Sequence, residues 1–240
     1  MRLRNKTNFY GKKVKSLISV PVLIDNKIVA FIGIDSVKDY KVWSVEKINL
    51  LHTMAEVVAN GINTINLNKK VHYLAYHESL SGLKNSFSLK LHLDEIVKKA
   101  KNNKSNVGVF FIDVDGFKFV NDALGHLQGD KLIRQVGERL SNLCNEDEEV
   151  FRVGGDDFVL TSRKCSCDRE FNEIANRVLK AFTEPFILNN QAHMITVSIG
   201  GSIYPENGVD KTTLLESADM AMYMAKRLMK SSDFTSCHGY

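Results

Sequence analysis

Val107-Gly-Val-Phe-Phe-Ile112-Asp113-Val-Asp115 is the stretch of the sequence that decides the fold. Its first six residues form an apolar run of strand length, which predicts a central strand with both faces buried. Two carboxylates follow at once, and Gly116 predicts a tight turn that decides where they point. Acidic side chains at a strand end suit a hard cation such as Mg²⁺ or Mn²⁺ when further acidic groups lie close by.

A second acidic pair, Asp156-Asp157, stands at the tip of a predicted hairpin. Predicted strands at 149–153 and 158–162 flank Gly154-Gly155-Asp156-Asp157, and glycine supplies the positive φ that a tight turn needs. Either acidic pair alone is more often simple turn chemistry, because Asp favours turns. The two pairs together favour a divalent-cation site.

Helices and hairpin-linked strands alternate around these two stretches. Helices are predicted at 86–100, 129–144, 168–182 and 211–229, and a second hairpin at 186–188 and 193–199. In the first of these helices we expect Phe87, Leu91 and Val97 to share the inward side. This order predicts an α+β domain with a central, largely antiparallel sheet and helices on both of its faces.

The first 76 residues predict a β-hairpin followed by a long helix. Two apolar, β-branched runs at 17–24 and 28–35 flank Asp25-Asn26-Lys27, as in a hairpin. Beyond Ser44, an expected N-cap, apolar residues recur at spacings of three and four: Ile48, Leu51, Ala55, Val58, Ile62 and Ile65. This pattern leaves two roles open, a short dimerising seam or packing on the hairpin. Residues 67–76 are more polar and predict a connecting helix.

Composition excludes several classes of protein. Hydrophobic residues make up 44% of the 240 and charged residues 25%, which is ordinary for a soluble globular protein, and a formal charge of +4 does not indicate a nucleic-acid partner. No apolar run approaches the roughly 18 residues that cross a bilayer, so we expect no membrane span and no signal peptide. The four cysteines lack zinc or redox spacing and are interpreted as reduced thiols in a cytoplasmic protein.

Several motifs between residues 77 and 230 occur in a fixed order. They are Glu78-Ser-Leu-Ser-Gly-Leu-Lys-Asn85, Asp113-Val-Asp-Gly-Phe-Lys-Phe-Val-Asn-Asp122, Gly125-His-Leu-Gln-Gly-Asp130, Gly154-Gly-Asp-Asp-Phe158, Val197-Ser-Ile-Gly-Gly201 and Ala218-Asp-Met-Ala-Met-Tyr-Met-Ala-Lys226. In this order they resemble the GGDEF family of diguanylate cyclases. The resemblance implies a GGDEF domain at 77–240 with the palm-like fold of nucleotidyl cyclases.

The resemblance also implies the chemistry of the site. Two GTP molecules would be condensed into cyclic di-GMP, with Mg²⁺ (or Mn²⁺) held by Asp113, Asp156 and the backbone carbonyl of Val114. Asp156 would also act as the base, and Lys118 would stabilise charge on the transferring phosphate. Asp157 stands where the family has Glu, beside the reacting groups.

Substrate recognition is implied at five further positions. Asn121 and Asp130 match the guanine readers, and an amide and a carboxylate suit the edge of that base. His126 matches a substrate-side position. Lys226 and Lys230 match two basic positions, one helical turn apart, that reach the γ-phosphate.

Each copy of such a domain holds one GTP, so the resemblance implies a homodimer. The helix at 44–76 is the candidate for bringing two domains together. Residues 1–66 resemble the C-terminal half of a GAF domain, with an unrelated hairpin and helix as the alternative. A further sensor or phosphodiesterase domain would fit a longer parent protein.

Departures from the family pattern define the alternatives. Asp157 shortens one acidic arm by one methylene, roughly 1.5 Å, and a displacement of that size near a reacting centre costs on the order of a hundredfold in rate. An active cyclase is expected; the alternatives are a degenerate GTP-binding module that regulates a neighbour without turnover, or a structural dimeriser without GTP affinity. Asn145-Glu-Asp-Glu148 lacks the Arg of the family's inhibitory product site, so no product inhibition is expected there.

Overall fold

The computed structural model describes residues 8–9, 12–165 and 168–235. They divide into two compact units, Met1–His72 and Tyr73–Tyr240. The strands are β1 (Asn8–Phe9), β2 (Lys12–Lys13), β3 (Ser16–Ile24), β4 (Lys27–Ser36), β5 (Val107–Val114), β6 (Glu148–Gly154), β7 (Asp157–Ser162), β8 (Phe186–Leu188), β9 (Gln191–His193) and β10 (Val197–Tyr204). The helices are α1 (Val45–Tyr76), α2 (Ser86–Asn103), α3 (Phe117–Leu124), α4 (His126–Leu143), α5 (Asp168–Ala181) and α6 (Lys211–Thr235).

The first unit contains the predicted hairpin and helix. Strands β3 and β4 pair antiparallel around a turn in which Asp25 and Asn26 both have positive φ. In α1, Leu51, Ala55 and Ala59 are buried against the hairpin. Of the two roles left open for the first half of the helix, packing on the hairpin is therefore the one observed.

The second unit is built on a four-stranded antiparallel sheet in the order β10-β5-β7-β6. Successive side chains of a strand point to opposite faces. Ile112 and Val114 accordingly enter a core with α4 and α5, whereas Val107 and Val109 enter a second core with α2 and α6. The predicted α+β class, with a central antiparallel sheet and helices on both faces, is confirmed.

Two local expectations were wrong. The inward side of α2 is Leu89, Leu93, Ile96 and Ala100, with Val97 packed against them, whereas Phe87 and Leu91 are about half exposed. The inward set recurs at spacings of four and three, which keeps it on one face of a helix. The second hairpin closes on β9, and residues 197–204 form the separate strand β10 beside β5. Helix α3 was not predicted.

A close approach of helix to strand positions the end of α6. A Cβ added at Gly200 in β10 would lie 1.8 Å from the backbone nitrogen of Met222 in α6. Only glycine permits this approach, and it brings the following turn of α6 towards the end of β5.

Two further expectations concern membrane spans and cysteines. No helix among the described residues is long and apolar enough to cross a bilayer. Cys144 is a free thiol, as interpreted from the sequence, and Cys165 is buried. Cys167 and Cys237 lie outside the described residues.

Candidate active site

Three carboxylates meet at one end of the sheet. Oxygen atoms of Asp113, Asp156 and Asp157 all lie within 4.8 Å of one another. Asp113 near the end of β5 is the direct cross-strand partner of Asp157 at the start of β7. Asp156 lies in the two-residue turn between β6 and β7, where its backbone oxygen accepts a hydrogen bond from Val114 N at 3.2 Å. These three residues are called the acidic cluster below.

The carboxylates of the acidic cluster repel one another. Burial first, and then the charges of Asp113 and Asp156, raise the pKa of Asp157 to about 6. Asp219 on α6 adds to this shift through its charge. A cation between the carboxylates would relieve this repulsion, and Mg²⁺ and Mn²⁺ prefer oxygen ligands of this kind. The residues present therefore fit a hard divalent cation.

Lys226 of α6 supplies positive charge to the cluster. Its Nζ donates to Asp113 Oδ1 at 2.5 Å. Burial lowers the pKa of Lys226, but the hydrogen bond and charge of Asp113 outweigh it, and the pKa is raised overall. Lys230 lies one turn further along the same helix, and its side chain is outside the described residues.

Asp115 does not join the acidic cluster, although it follows Asp113 by two residues. Its carboxylate accepts hydrogen bonds from Thr196 Oγ1 at 2.8 Å and Ser198 Oγ at 2.7 Å. Asp115 thus ties the end of β5 to β10. The two acids of the Asp113-Val-Asp115 motif have separate roles, one in the cluster and one in the fold.

Helices α3 and α4 carry the predicted substrate-binding residues Asn121, His126 and Asp130. A Cβ added at Gly129 would lie 1.9 Å from Asn121 Oδ1, so the amide rests directly on the first turn of α4. Asn121 and Asp130 are half-buried, whereas His126 and the predicted phosphate ligand Lys118 are exposed. Gly125, at φ +83°, joins the two helices in a conformation that favours glycine.

Two residues beside the site were given no role from the sequence. Arg152 of β6 donates to the backbone oxygen of Gly155 and to the carboxylate of Glu78. Glu78 belongs to a motif that resembled the family, yet no partner for it was expected. A buried strand arginine two residues before Gly154 was the available signal, because a buried charge requires a partner.

Comparison with known proteins identifies the second unit. Residues 75–232 match the family model described as "Diguanylate cyclase, GGDEF domain". The signaling protein YkoW of Bacillus subtilis strain 168 is 35% identical over 164 residues, which are 68% of this chain and 20% of YkoW. The cyclic di-GMP phosphodiesterase PdeR of Escherichia coli K12 is 35% identical over 158 residues, or 66% of this chain and 23% of PdeR.

The diguanylate cyclase TpbB of Pseudomonas aeruginosa PAO1 is 32% identical over 166 residues, which are 69% of this chain and 38% of TpbB. The solved GGDEF domain of TpbB superimposes with a TM-score of 0.62 at 32% identity, over 63% of this chain and 89% of that domain. The chain thus spans between about a fifth and two fifths of the length of these relatives. The fold, the motifs and the match over residues 75–232 together show that this chain belongs to the GGDEF family.

Proposed function

We propose that the chain is a diguanylate cyclase, which condenses two GTP molecules into cyclic di-GMP across a homodimer. The observation that supports this most is the convergence of Asp113, Asp156 and Asp157, which come from different parts of the sequence. We assign 77–240 to the GGDEF domain, 67–76 to a connecting helix and 1–66 to a partial GAF-like segment. The substrate GTP places the proposed activity in the cytoplasm.

The proposed reaction consists of two successive nucleotidyl transfers. The 3′-hydroxyl oxygen of one GTP forms a bond to the α-phosphorus of the other, and the bond from that phosphorus to pyrophosphate breaks. The hydroxyl proton passes to a base, for which Asp156 is the candidate. The same step in the opposite direction closes the ring and releases the second pyrophosphate.

The acidic cluster is the proposed binding site for Mg²⁺ or Mn²⁺, with Asp113, Asp156 and the Val114 carbonyl as ligands and Asp157 beside them. When bound, the cation would neutralise triphosphate charge and polarise the attacking hydroxyl. Lys226 would exchange its bond to Asp113 for one to the γ-phosphate, together with Lys230. Lys118 would stabilise charge on the transferring phosphate.

Recognition of guanine is assigned to Asn121 and Asp130, with His126 on the substrate side. The contact of Asn121 with Gly129 supports this assignment, because it fixes the amide at the start of α4. A half-site holds one GTP and makes no product, so the rate per chain should rise with protein concentration until the dimer is saturated.

A second candidate function is GTP binding without turnover, in a module that regulates a neighbouring domain or partner. Asp157 in place of the family's Glu favours it, and one relative, PdeR, is named a phosphodiesterase. The two candidates differ in a single measurement. Full chain incubated with GTP and Mg²⁺ should release cyclic di-GMP and two pyrophosphates per product; GTP binding without product, restored by Asp157→Glu, would favour the second.

A further inference from the structure

Arg152 lies on β6 with only 8% of its surface exposed, and it links two separate loops. Its Nε and Nη2 donate to the backbone oxygen of Gly155, at 3.1 and 2.6 Å. Its Nη1 donates to Glu78 Oε2 at 2.5 Å. One guanidinium therefore binds the β6–β7 turn on one side and the segment that follows α1 on the other.

The bond to Gly155 acts on the orientation of Asp156. The carbonyl of Gly155 belongs to the peptide plane that precedes Asp156, because a peptide unit is planar. The carbonyl of Asp156 belongs to the plane that follows it, and it accepts from Val114 N. Both peptide planes around Asp156 are thus held, which directs its side chain into the acidic cluster against the repulsion of the other carboxylates.

Glu78 anchors the other side of Arg152. Its carboxylate also accepts from the backbone nitrogens of Leu80 and Ser81, at 3.0 and 2.8 Å. The segment itself is closed by a bond from Glu78 N to Leu83 O, and Arg152 N donates to Lys84 O. The anchor is therefore itself fixed to β6, and it leaves the guanidinium little freedom to move.

We propose that Arg152 and Glu78 are positioning residues that hold Asp156 in the orientation in which the acidic cluster binds its cation. The inference rests on the proposed function, since it concerns the same cation. Neither side chain contacts the reacting groups; both act through the backbone of Gly155.

The test uses the full chain and Mn²⁺ alone, with free Mn²⁺ measured by its electron paramagnetic resonance signal. Arg152→Lys carries the same charge, but its single ammonium lacks the planar fork that binds Gly155 and Glu78 together. Glu78→Gln keeps an acceptor for the turn and removes the anchoring charge. Each should weaken Mn²⁺ binding roughly ten- to hundredfold, as outer partners of metal ligands do.

A second readout is the dependence of GTP turnover on Mn²⁺. The variants should need more Mn²⁺ for half-maximal turnover by the same factor, and should recover at saturating Mn²⁺. The double variant should be no weaker than the more affected single variant, because both residues act through one contact.

Arg177→Lys and Glu148→Gln are the matched controls. They change another arginine–glutamate pair in the same unit, in which Arg177 Nη2 lies 2.5 Å from both oxygens of Glu148. They should lower the unfolding temperature and leave Mn²⁺ affinity unchanged. The controls thus separate loss of positioning from general loss of stability.

The outcomes distinguish this inference from the function on which it rests. If wild type binds Mn²⁺ and forms cyclic di-GMP while folded Arg152→Lys and Glu78→Gln bind Mn²⁺ equally well, the positioning role is overturned and the cyclase stands. If wild type binds no Mn²⁺ and forms no product, both fail. Should Arg152→Lys not fold, Glu78→Gln decides the question alone.

Discussion

The two ends of the β6–β7 hairpin hold charge in opposite ways. At the end away from the turn, Glu149 pairs with Lys84 and His92, and Glu148 pairs with Arg177. This end is called the paired end below. At the turn, three carboxylates converge, and the ammonium of Lys226 bonds to one of them, that of Asp113. Acidic groups matched by the protein's own cations stabilise the fold, whereas a surplus of carboxylates raises its free energy until a cation binds. The unmatched end is the one we assign to function.

The largest expected effect is on Asp113. Asp113→Asn removes one charge from the acidic cluster, and loss of several kcal/mol of cation-dependent stabilisation should lower cyclic di-GMP formation roughly a thousandfold. Initial rates with GTP and saturating Mg²⁺ measure it.

The matched change at the paired end is Glu149→Gln. It should leave the rate within about twofold and lower the free energy of unfolding by about 0.5–1 kcal/mol, because the pair is partly exposed. An unchanged rate in Asp113→Asn, or a large loss in Glu149→Gln, would break the comparison between the two ends.

The next largest effect on the rate is expected from the length of the acidic side chain at position 157. Asp157→Glu should raise the rate of product formation roughly ten- to a hundredfold, because one added methylene restores the reach of the family's residue. The same substitution at the paired end, Asp147→Glu, adds a methylene to a residue paired with Lys164 and should not change the rate. A rate that falls in Asp157→Glu would show that the cluster is adapted to aspartate.

A smaller effect is expected at Gly129. In Gly129→Ala the new Cβ would displace the Asn121 amide, since the two atoms would be 1.9 Å apart. GTP affinity should fall about tenfold, which is about 1.4 kcal/mol. Gly61→Ala, where an added Cβ meets no atom within 4 Å, is the control and should leave affinity unchanged. Equilibrium binding of GTP in both variants decides whether Asn121 reads the substrate.

The sequence predicts the sheet and the cluster better than it predicts their supports. The apolar run at 107–112 predicted β5, and helical periodicity predicted most of the helices. The glycines and acidic residues at 154–157 predicted the β6–β7 turn. The face of α2 was missed because Phe87 and Leu91 also lie at helical spacing, and only packing on the sheet selects the other face. The partnership of Arg152 with Glu78 depends on two distant segments meeting, which no local pattern reveals.

The pH dependence of stability sharpens the comparison further. Because the pKa of Asp157 is raised to about 6, the folded state binds its proton more tightly than the unfolded state does. The contribution of this proton to the free energy of unfolding is then fully present below pH about 4, and it is lost as the pH rises through 6. Asp157→Asn should stabilise the cation-free protein above pH 6 by about 1 kcal/mol, a value reduced because the group is only partly buried. Urea unfolding at pH 4 and pH 8 measures the difference, and an equal effect at both would contradict it.

The smallest expected effect is that of added cyclic di-GMP, the proposed product, on the initial rate through binding at the paired end. Cyclic di-GMP carries two phosphates, and a site for them requires an arginine that is free to bind them. The Asn145–Glu148 segment has none, and Arg177 beside it already binds Glu148, whose side chain is only 2% exposed. A large excess of cyclic di-GMP should therefore leave initial rates unchanged. The double variant Asn145→Arg with Glu148→Asp, which restores the family's pattern, should become inhibited. The contrary outcome is that cyclic di-GMP inhibits the wild-type chain and that Arg177→Lys abolishes this inhibition. The paired end would then bind a ligand, and acidic groups paired with the protein's own cations could not be assigned to the fold alone.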